Sequence, residues 1–256
     1  MTPLEYLLPE TIEEALKYLE RGVPLAGGTG LTPRRNELKS VVDLRNLNLD
    51  RIEIKGDFIE IGATATLQEI IEAELNLPDR LRDVCKLESG WNLRNMATIG
   101  GTIMSSDGRS AILTALLALD AHIEQQPGPF TLTMDDLLDH REDVTLMTKL
   151  RFKNPSKLLY EQVSRAPADF PLVCAAIATW DHDGKEKCAI SVGGYGACPI
   201  RLREAETLFS HQGDISLAVE VARKAYVQAG DQWASPDYRS DVVGTLVDRL
   251  LREVVS

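Results

Sequence analysis

The stretch Leu25-Ala26-Gly27-Gly28-Thr29-Gly30-Leu31 decides how this chain is read, with a second of similar make at Ala97-Thr98-Ile99-Gly100-Gly101-Thr102. Each is a glycine pair beside a hydroxyl. A Gly-Gly step lets the backbone take positive φ and removes the Cβ atoms that hold a ligand away, so successive N–H groups can converge on an anion such as a pyrophosphate. Gly-Gly is also ordinary turn punctuation after a buried strand. The two pairs together favour the anion reading, because each follows small or apolar residues and each carries Thr next to the glycines. The usual phosphate fingerprints are absent. Pro33 stands where the third glycine of a dinucleotide-binding loop belongs, and no Gly-Lys-Ser/Thr occurs. A nucleotide here is held by another fold.

Working outward, Thr11-Ile12-Glu13-Glu14 is a capping box that opens a helix with Ile12, Ala15, Leu16 and Leu19 on its apolar face, closed at Gly22. Val23 to Ala26 reads as a short buried strand that delivers the first glycine pair at its C-terminal end, where parallel arrangements bind ligands. Arg34 and Arg35 follow as a solvated pair on a short turn that could also neutralise phosphate charge. Val41 to Leu44 is a second strand of a small α/β unit ending near residue 50. Residues 51–55 and 58–61 alternate strictly about Gly56-Asp57 and form a hairpin. Thr66-Leu67-Gln68-Glu69 is a second capping box, and Leu77-Pro78 precedes another helix. Ser110 to Leu119 is so apolar that it is a buried helix.

His122 to Gln125 and Phe130 to Thr133 flank Gln126-Pro127-Gly128-Pro129 as a further hairpin, with His122 an exposed strand residue. Val144 to Phe152 and Tyr160 to Arg165 read as strands, which makes the middle region mainly antiparallel. Residues 155–158 separate it from the rest. Leu172 to Trp180 and Lys187 to Val192 are strands about the turn Asp181-His182-Asp183-Gly184, which needs no metal to explain it. Helices at Arg201 to Phe209, Ser216 to Ala229 and Pro236 to Val255 cover this last sheet. The expected fold class is α+β. Residues 1–154 form a two-part domain, a small α/β unit at about 1–50 and a mainly antiparallel α+β unit at 51–154. Residues 159–256 form a small antiparallel sheet covered by helices.

With 256 residues and 44% hydrophobic content the chain can bury ordinary cores. Its formal charge of −11 disfavours nucleic acid and anionic membrane, which both need a basic footprint. Met1 to Tyr6 lack the basic start and apolar run of a secretory signal, so the cytoplasm is the expected location. Cys85, Cys174, Cys188 and Cys198 are scattered without cluster spacing and read as reduced thiols, with no metal site. No Ser/His/Asp, Cys/His or paired-carboxylate constellation stands out, and no catalytic residue is assigned.

Taken in sequence, Ala26-Gly27-Gly28-Thr29, Val42-Asp43-Leu44-Arg45, Ile61-Gly62-Ala63-Thr64-Ala65-Thr66-Leu67 and Leu93-Arg94-Asn95-Met96-Ala97-Thr98-Ile99-Gly100-Gly101 resemble the FAD-binding subunit of molybdenum hydroxylases, the group that includes xanthine dehydrogenase and carbon monoxide dehydrogenase. The likeness continues through Arg165 to Phe170, Gly193 to Arg201 and Ser235 to Arg239, so it spans nearly the whole chain. It implies FAD as cofactor, with Leu25, Ala26, Gly27, Gly28, Thr29, Gly30, Ala97, Thr98, Ile99, Gly100, Gly101, Ser105, Asp107 and Tyr195 as the cofactor-binding positions. Tyr195, emerging from a Gly-Gly turn, can lie against an isoalloxazine or pack on its own domain. The resemblance also implies partners, an iron–sulfur subunit and a molybdopterin subunit, with electrons passing through FAD to an acceptor such as NAD.

The chain departs from the family pattern at Thr102, where Asn is common, at Ala111, where Asp is usual, and at Ala166, where a second Arg is customary. Asp107 stands near the lost Asp, and the segment from Gly30 to Val42 is short. Two other functions fit the same resemblance. One is an assembly subunit that has lost flavin, and the other is a stand-alone flavin reductase.

Overall fold

The computed structural model describes residues 4–128, 130–182 and 185–256. Its first part runs β1 (Glu5–Leu7), α1 (Ile12–Leu19), β2 (Val23–Leu25), β3 (Ser40–Asp43), β4 (Ile52–Lys55), β5 (Phe58–Gly62) and α2 (Leu67–Glu72). Then come α3 (Asp79–Glu88), α4 (Trp91–Arg94), α5 (Ile99–Ser105), α6 (Ala111–Ala118), β6 (His122–Gln126), β7 (Phe130–Thr133), α7 (Met134–Asp139) and β8 (Leu146–Lys153). The last part is β9 (Lys157–Val163), β10 (Val173–His182), β11 (Lys185–Gly193), β12 (Ile200–Arg201), α8 (Arg203–Gln212), α9 (Ile215–Ala225) and α10 (Pro236–Val255). The α+β class expected from the sequence is the observed one.

Contacts gather the chain into two units, each discontinuous. The first is Met1–Leu75, Ser89–Ser105 and Ala121–Phe152, and the second is Asn76–Glu88, Ser106–Asp120 and Lys153–Ser256. Helices α3 and α6, which sequence places inside residues 51–154, therefore belong with the C-terminal sheet. The reason is hydrophobic: every residue of α6 is buried, and a helix apolar all round needs cover on all sides. It finds that cover against α3, β10 and β11.

Two sheets build the first unit. One is β1-β3-β2, all parallel, with Tyr6 opposite Val41 and Val23 also opposite Val41. Thr11 caps α1 through the Glu14 N–H, and Ala15 packs with Val42, Leu44 and Leu146, supported by Ile12, Leu16 and Leu19. The other sheet has the order β4-β5-β8-β6-β7. Its β4–β5 hairpin turns at Gly56, where φ is 61°. His122, expected exposed, is half-buried on β6. The strand expected over residues 144–152 is displaced slightly, to β8.

In the second unit the antiparallel order is β12-β11-β10-β9. Leu159, Val173, Ala175, Ile177, Ile190 and Val192 face Phe209 of α8, Ala218 and Ala222 of α9, and Val243, Val247 and Leu250 of α10. Ser235 caps α10, with Pro236 at its first position. Lys157 already belongs to β9, so the separator expected over residues 155–158 is shorter. Of the turn expected between β10 and β11, Asp183 and Gly184 lie outside the described residues, as does Pro129 of the other hairpin. Among the described residues no helix is long and apolar enough to cross a membrane. Nor do three or more His, Cys, Asp or Glu side chains gather as a metal would need.

Candidate functional site

The first glycine loop leaves the C-terminal end of β2, and the Leu25 carbonyl is pinned there by the Leu44 N–H at 2.9 Å. Next to it the buried Asp43 carboxylate accepts from the Arg45 N–H at 2.9 Å and from Arg45 Nε at 2.8 Å, while Arg45 Nη2 donates to the Tyr6 hydroxyl at 2.8 Å. This staple ties β1 and β3 together at the same end. Gly28 turns the loop at φ 70°, a conformation that a side chain with a Cβ adopts at a cost. Its carbonyl accepts from the Leu31 and Thr32 N–H groups and from the Thr32 hydroxyl, at 3.2, 2.9 and 2.8 Å.

With the loop so held, no acceptor among the described residues takes the N–H groups of Gly27, Gly28, Thr29 and Gly30. Gly27, Gly28 and Thr29 are half-buried and Gly30 is exposed. Successive N–H groups left unpaired in a turn conformation can line a concavity that holds an anion. Gly27 is packed so closely on the next segment that a Cβ there would stand 2.6 Å from the Met96 carbonyl carbon and nearer still to its oxygen. Gly30 meets Ser105, whose hydroxyl would lie 3.1 Å from a Cβ on Gly30 and donates to the Gly101 carbonyl at 2.7 Å.

The second glycine pair sits in a different local structure from the first. Ile99-Gly100-Gly101 is the first turn of α5, and its N–H groups are already used. Ile99 donates to the Ala65 carbonyl at 2.8 Å, Gly100 to the Ala63 carbonyl at 2.9 Å, and Gly101 to the Thr98 hydroxyl at 3.2 Å. Ala97, Thr98, Ile99 and Gly100 are buried, and a Cβ on Gly100 would come within 2.7 Å of the Ala63 carbonyl oxygen. This pair lets a helix start flush against the turn after β5, with its own N–H groups already given to acceptors within the unit. The surface it contributes beside Gly27–Gly30 is Gly101 and Ser105, both exposed.

The other two expected positions lie in the second unit. Asp107 is exposed and engaged by Arg109, whose backbone N–H reaches Oδ1 at 2.9 Å and whose Nη2 reaches Oδ2 at 2.8 Å. The Arg109 guanidinium lies over the Trp233 ring at 4.7 Å and the Phe170 ring at 5.6 Å. Gly108 joins this loop to the Tyr195 turn, since its N–H donates to the Gly196 carbonyl at 3.0 Å and its carbonyl accepts from the Gly194 N–H at 2.7 Å. Tyr195 is half-buried, with the Arg239 guanidinium 5.2 Å from its ring centre. The structure thus unites Gly27–Gly30 with Gly101 and Ser105 in one unit, and Asp107 with Tyr195 in the other.

Sequence reasoning passed over Glu88 and gave Arg239 no role of its own. Glu88 is a buried carboxylate that accepts from Ser110 Oγ at 2.9 Å and the Ile112 N–H at 3.0 Å, at the N-terminal end of α6. Burial pushes its carboxyl above the usual range against the pull of these hydrogen bonds. Burial also pushes the Cys85 thiol up to about 12 and the Cys174 thiol up to about 11, so both are inert. Arg34 is exposed and paired to Glu37 at 3.0 Å, which is the solvated reading of the arginine pair. Arg239 had a signal in the Ser235 to Arg239 motif, but its contacts come from residues distant in sequence.

The family described as "FAD binding domain in molybdopterin dehydrogenase" matches residues 2–150, and that described as "CO dehydrogenase flavoprotein C-terminal domain" matches residues 159–254. The chain is 32% identical to the uncharacterized protein YgfM of Escherichia coli (strain K12), covering 95% of this chain and 93% of that one. It is 28% identical to the 6-hydroxypseudooxynicotine dehydrogenase complex subunit alpha of Paenarthrobacter nicotinovorans, over 98% and 94% of the two chains. It is 26% identical to the glyceraldehyde dehydrogenase medium chain of Sulfolobus acidocaldarius, over 97% of each. A chain of CO dehydrogenase from Oligotropha carboxidovorans shares the fold, with TM-score 0.82, 23% identity and 96% of both chains covered.

Proposed function

Since this chain belongs to the family of FAD-binding medium subunits of molybdenum hydroxylases, we propose that it holds FAD on Gly27–Gly30 and works as the electron-transfer subunit of a three-part dehydrogenase in the cytoplasm. The observation that carries this is the row of four N–H groups after β2, from Gly27 to Gly30, that have no acceptor among the described residues. These groups would bind the pyrophosphate, and Gly101 and Ser105 would border it. The Thr29 hydroxyl stands in the same loop. Asp107 and Tyr195, with Leu25, Ala26 and the Ala97–Gly100 turn as support, complete the set of residues assigned to the cofactor. Bound flavin would relay electrons from iron–sulfur clusters of one partner, reduced by a molybdopterin partner, to an acceptor such as NAD. The chain's own work is to bind and orient, because no proton-transfer constellation accompanies these residues.

Partners need a surface. In the first unit Trp91, Leu93 and Met96 expose large apolar side chains, at 61%, 55% and 57%, and such clusters mark interaction sites. We assign partner docking to this segment. Purification from the native host is the test: the chain should emerge with an iron–sulfur protein and a molybdopterin protein, and substrate should reduce its flavin only when both are present. An isolated chain that turns over substrate alone would instead be a stand-alone reductase. One observation favours an assembly subunit without flavin, namely that Asp107 is committed to Arg109. A chain that co-purifies with both partners yet carries no flavin would select that reading.

A further inference from the structure

We infer that Arg239 is a positioning residue that fixes the Tyr195 ring and the Gly193–Gly194 turn in a single orientation for the cofactor role assigned to Tyr195, an inference that rests on the functional reading above. Arg239 lies in the first turn of α10 with its side chain fully buried. Its Nη1 donates to the Gly194 carbonyl at 2.7 Å and also to the Leu172 carbonyl, and its Nη2 donates to Asp231 Oδ2 at 2.7 Å. The guanidinium face then lies 5.2 Å from the centre of the Tyr195 ring. One group thus grips the residue before Tyr195, the strand entry opposite it and the ring itself.

The grip is rigid for physical reasons. A buried guanidinium is costly to desolvate and is retained only where its donors are used. Here Asp231 balances the charge and is itself held by the Trp233 and Ala234 N–H groups at 2.9 and 3.0 Å. Arg239 Nε has no hydrogen-bond partner among the described residues. From the other side the Tyr226 hydroxyl donates to the Gly193 carbonyl at 2.7 Å, and the Gly194 N–H is taken by Gly108. The backbone on either side of Tyr195 is therefore fixed at several points. The ring's remaining freedom, rotation about its own side-chain bonds, is limited by the cation above its face.

The test uses the full chain labelled with meta-fluorotyrosine, with the Tyr195 line in the fluorine NMR spectrum assigned by its loss in Y195F. R239K keeps a charge but loses the fork, so it should shift and broaden the Tyr195 line and leave the Tyr6 and Tyr18 lines of the other unit in place. D231N, which keeps the arginine and removes its anchor, should produce a smaller shift and serves if R239K does not fold. A second readout is the emission of bound FAD, which a tyrosine against the ring quenches. Emission should rise several-fold in Y195F and in R239K, with no further rise in the double variant. A Tyr195 line unmoved in both R239K and D231N overturns the inference, as does an R239K emission equal to wild type when Y195F raises it. Failure of the wild-type chain to bind FAD would strike the functional reading, while the fluorine spectra still decide whether Arg239 sets the ring.

Discussion

Replacing Gly27 with Ala puts the cofactor loop to its most specific trial. The added Cβ would stand 2.6 Å from the Met96 carbonyl carbon, where ordinary contact begins at 3.4 Å. The two segments must therefore part by at least ~0.8 Å, and by more to clear the carbonyl oxygen. Overpacking of this size costs about 1–3 kcal/mol. Met96 is an exposed residue and Gly27 a half-buried one, so the loop can yield outward without breaking the unit's core. The cost then falls on the loop conformation that presents the N–H groups. At about 1.4 kcal/mol per tenfold, FAD affinity should drop roughly tenfold to a hundredfold while Tm falls only a few degrees. Titration of the apoprotein followed by flavin fluorescence, with Tm recorded in parallel, measures both. A dissociation constant within twofold of wild type would refute the placement of the cofactor on this loop.

Gly100→Ala should behave in the opposite way, because its Cβ meets the buried Ala63 carbonyl at 2.7 Å; calorimetry should show a loss of about 1–3 kcal/mol of stability whether or not FAD is present. Glu88 has a folded-state pKa raised by burial, so its contribution to stability is present below its ordinary value of 4.5 and is lost as pH rises through the folded value. The Tm of wild type minus that of Glu88→Gln should therefore fall as pH is raised from 4.5, and a difference flat with pH would show that Glu88 does not titrate as argued. The double substitution Leu93→Ser with Met96→Ser should leave FAD binding intact and reduce the yield of partners in co-purification, and an unchanged yield would remove that surface from the docking account.

Much of this was legible in the sequence because the deciding signals were local. The Thr11 cap, the Thr66 capping box, the Gly56 hairpin, and Ser235-Pro236 at the start of α10 each place an element through neighbours within four residues, although Glu14 closes onto the Glu10 N–H and not, as a capping box would, onto that of Thr11. The parallel pairing of β1 was not visible, since three residues carry no period. The start of α5 was hidden by glycine, a poor helix former, and became a helix because Gly100 alone fits against Ala63. The same limit applies to the site. The glycine loop could be read from its own residues, whereas the use of the Ile99–Gly101 N–H groups by Ala65, Ala63 and Thr98 depends on tertiary packing. Likewise the clamp of Arg239 joins Leu172, Gly194 and Asp231, which no spacing rule connects.

The flavin content of the purified chain tests the central claim most directly. The visible absorption spectrum of the protein, purified with FAD present and freed of excess, should show one flavin per chain, and titration of the stripped protein should give saturable quenching of flavin fluorescence. A colourless protein whose titration shows no saturation would contradict the account, leaving the unpaired N–H groups of Gly27–Gly30 without the ligand assigned to them.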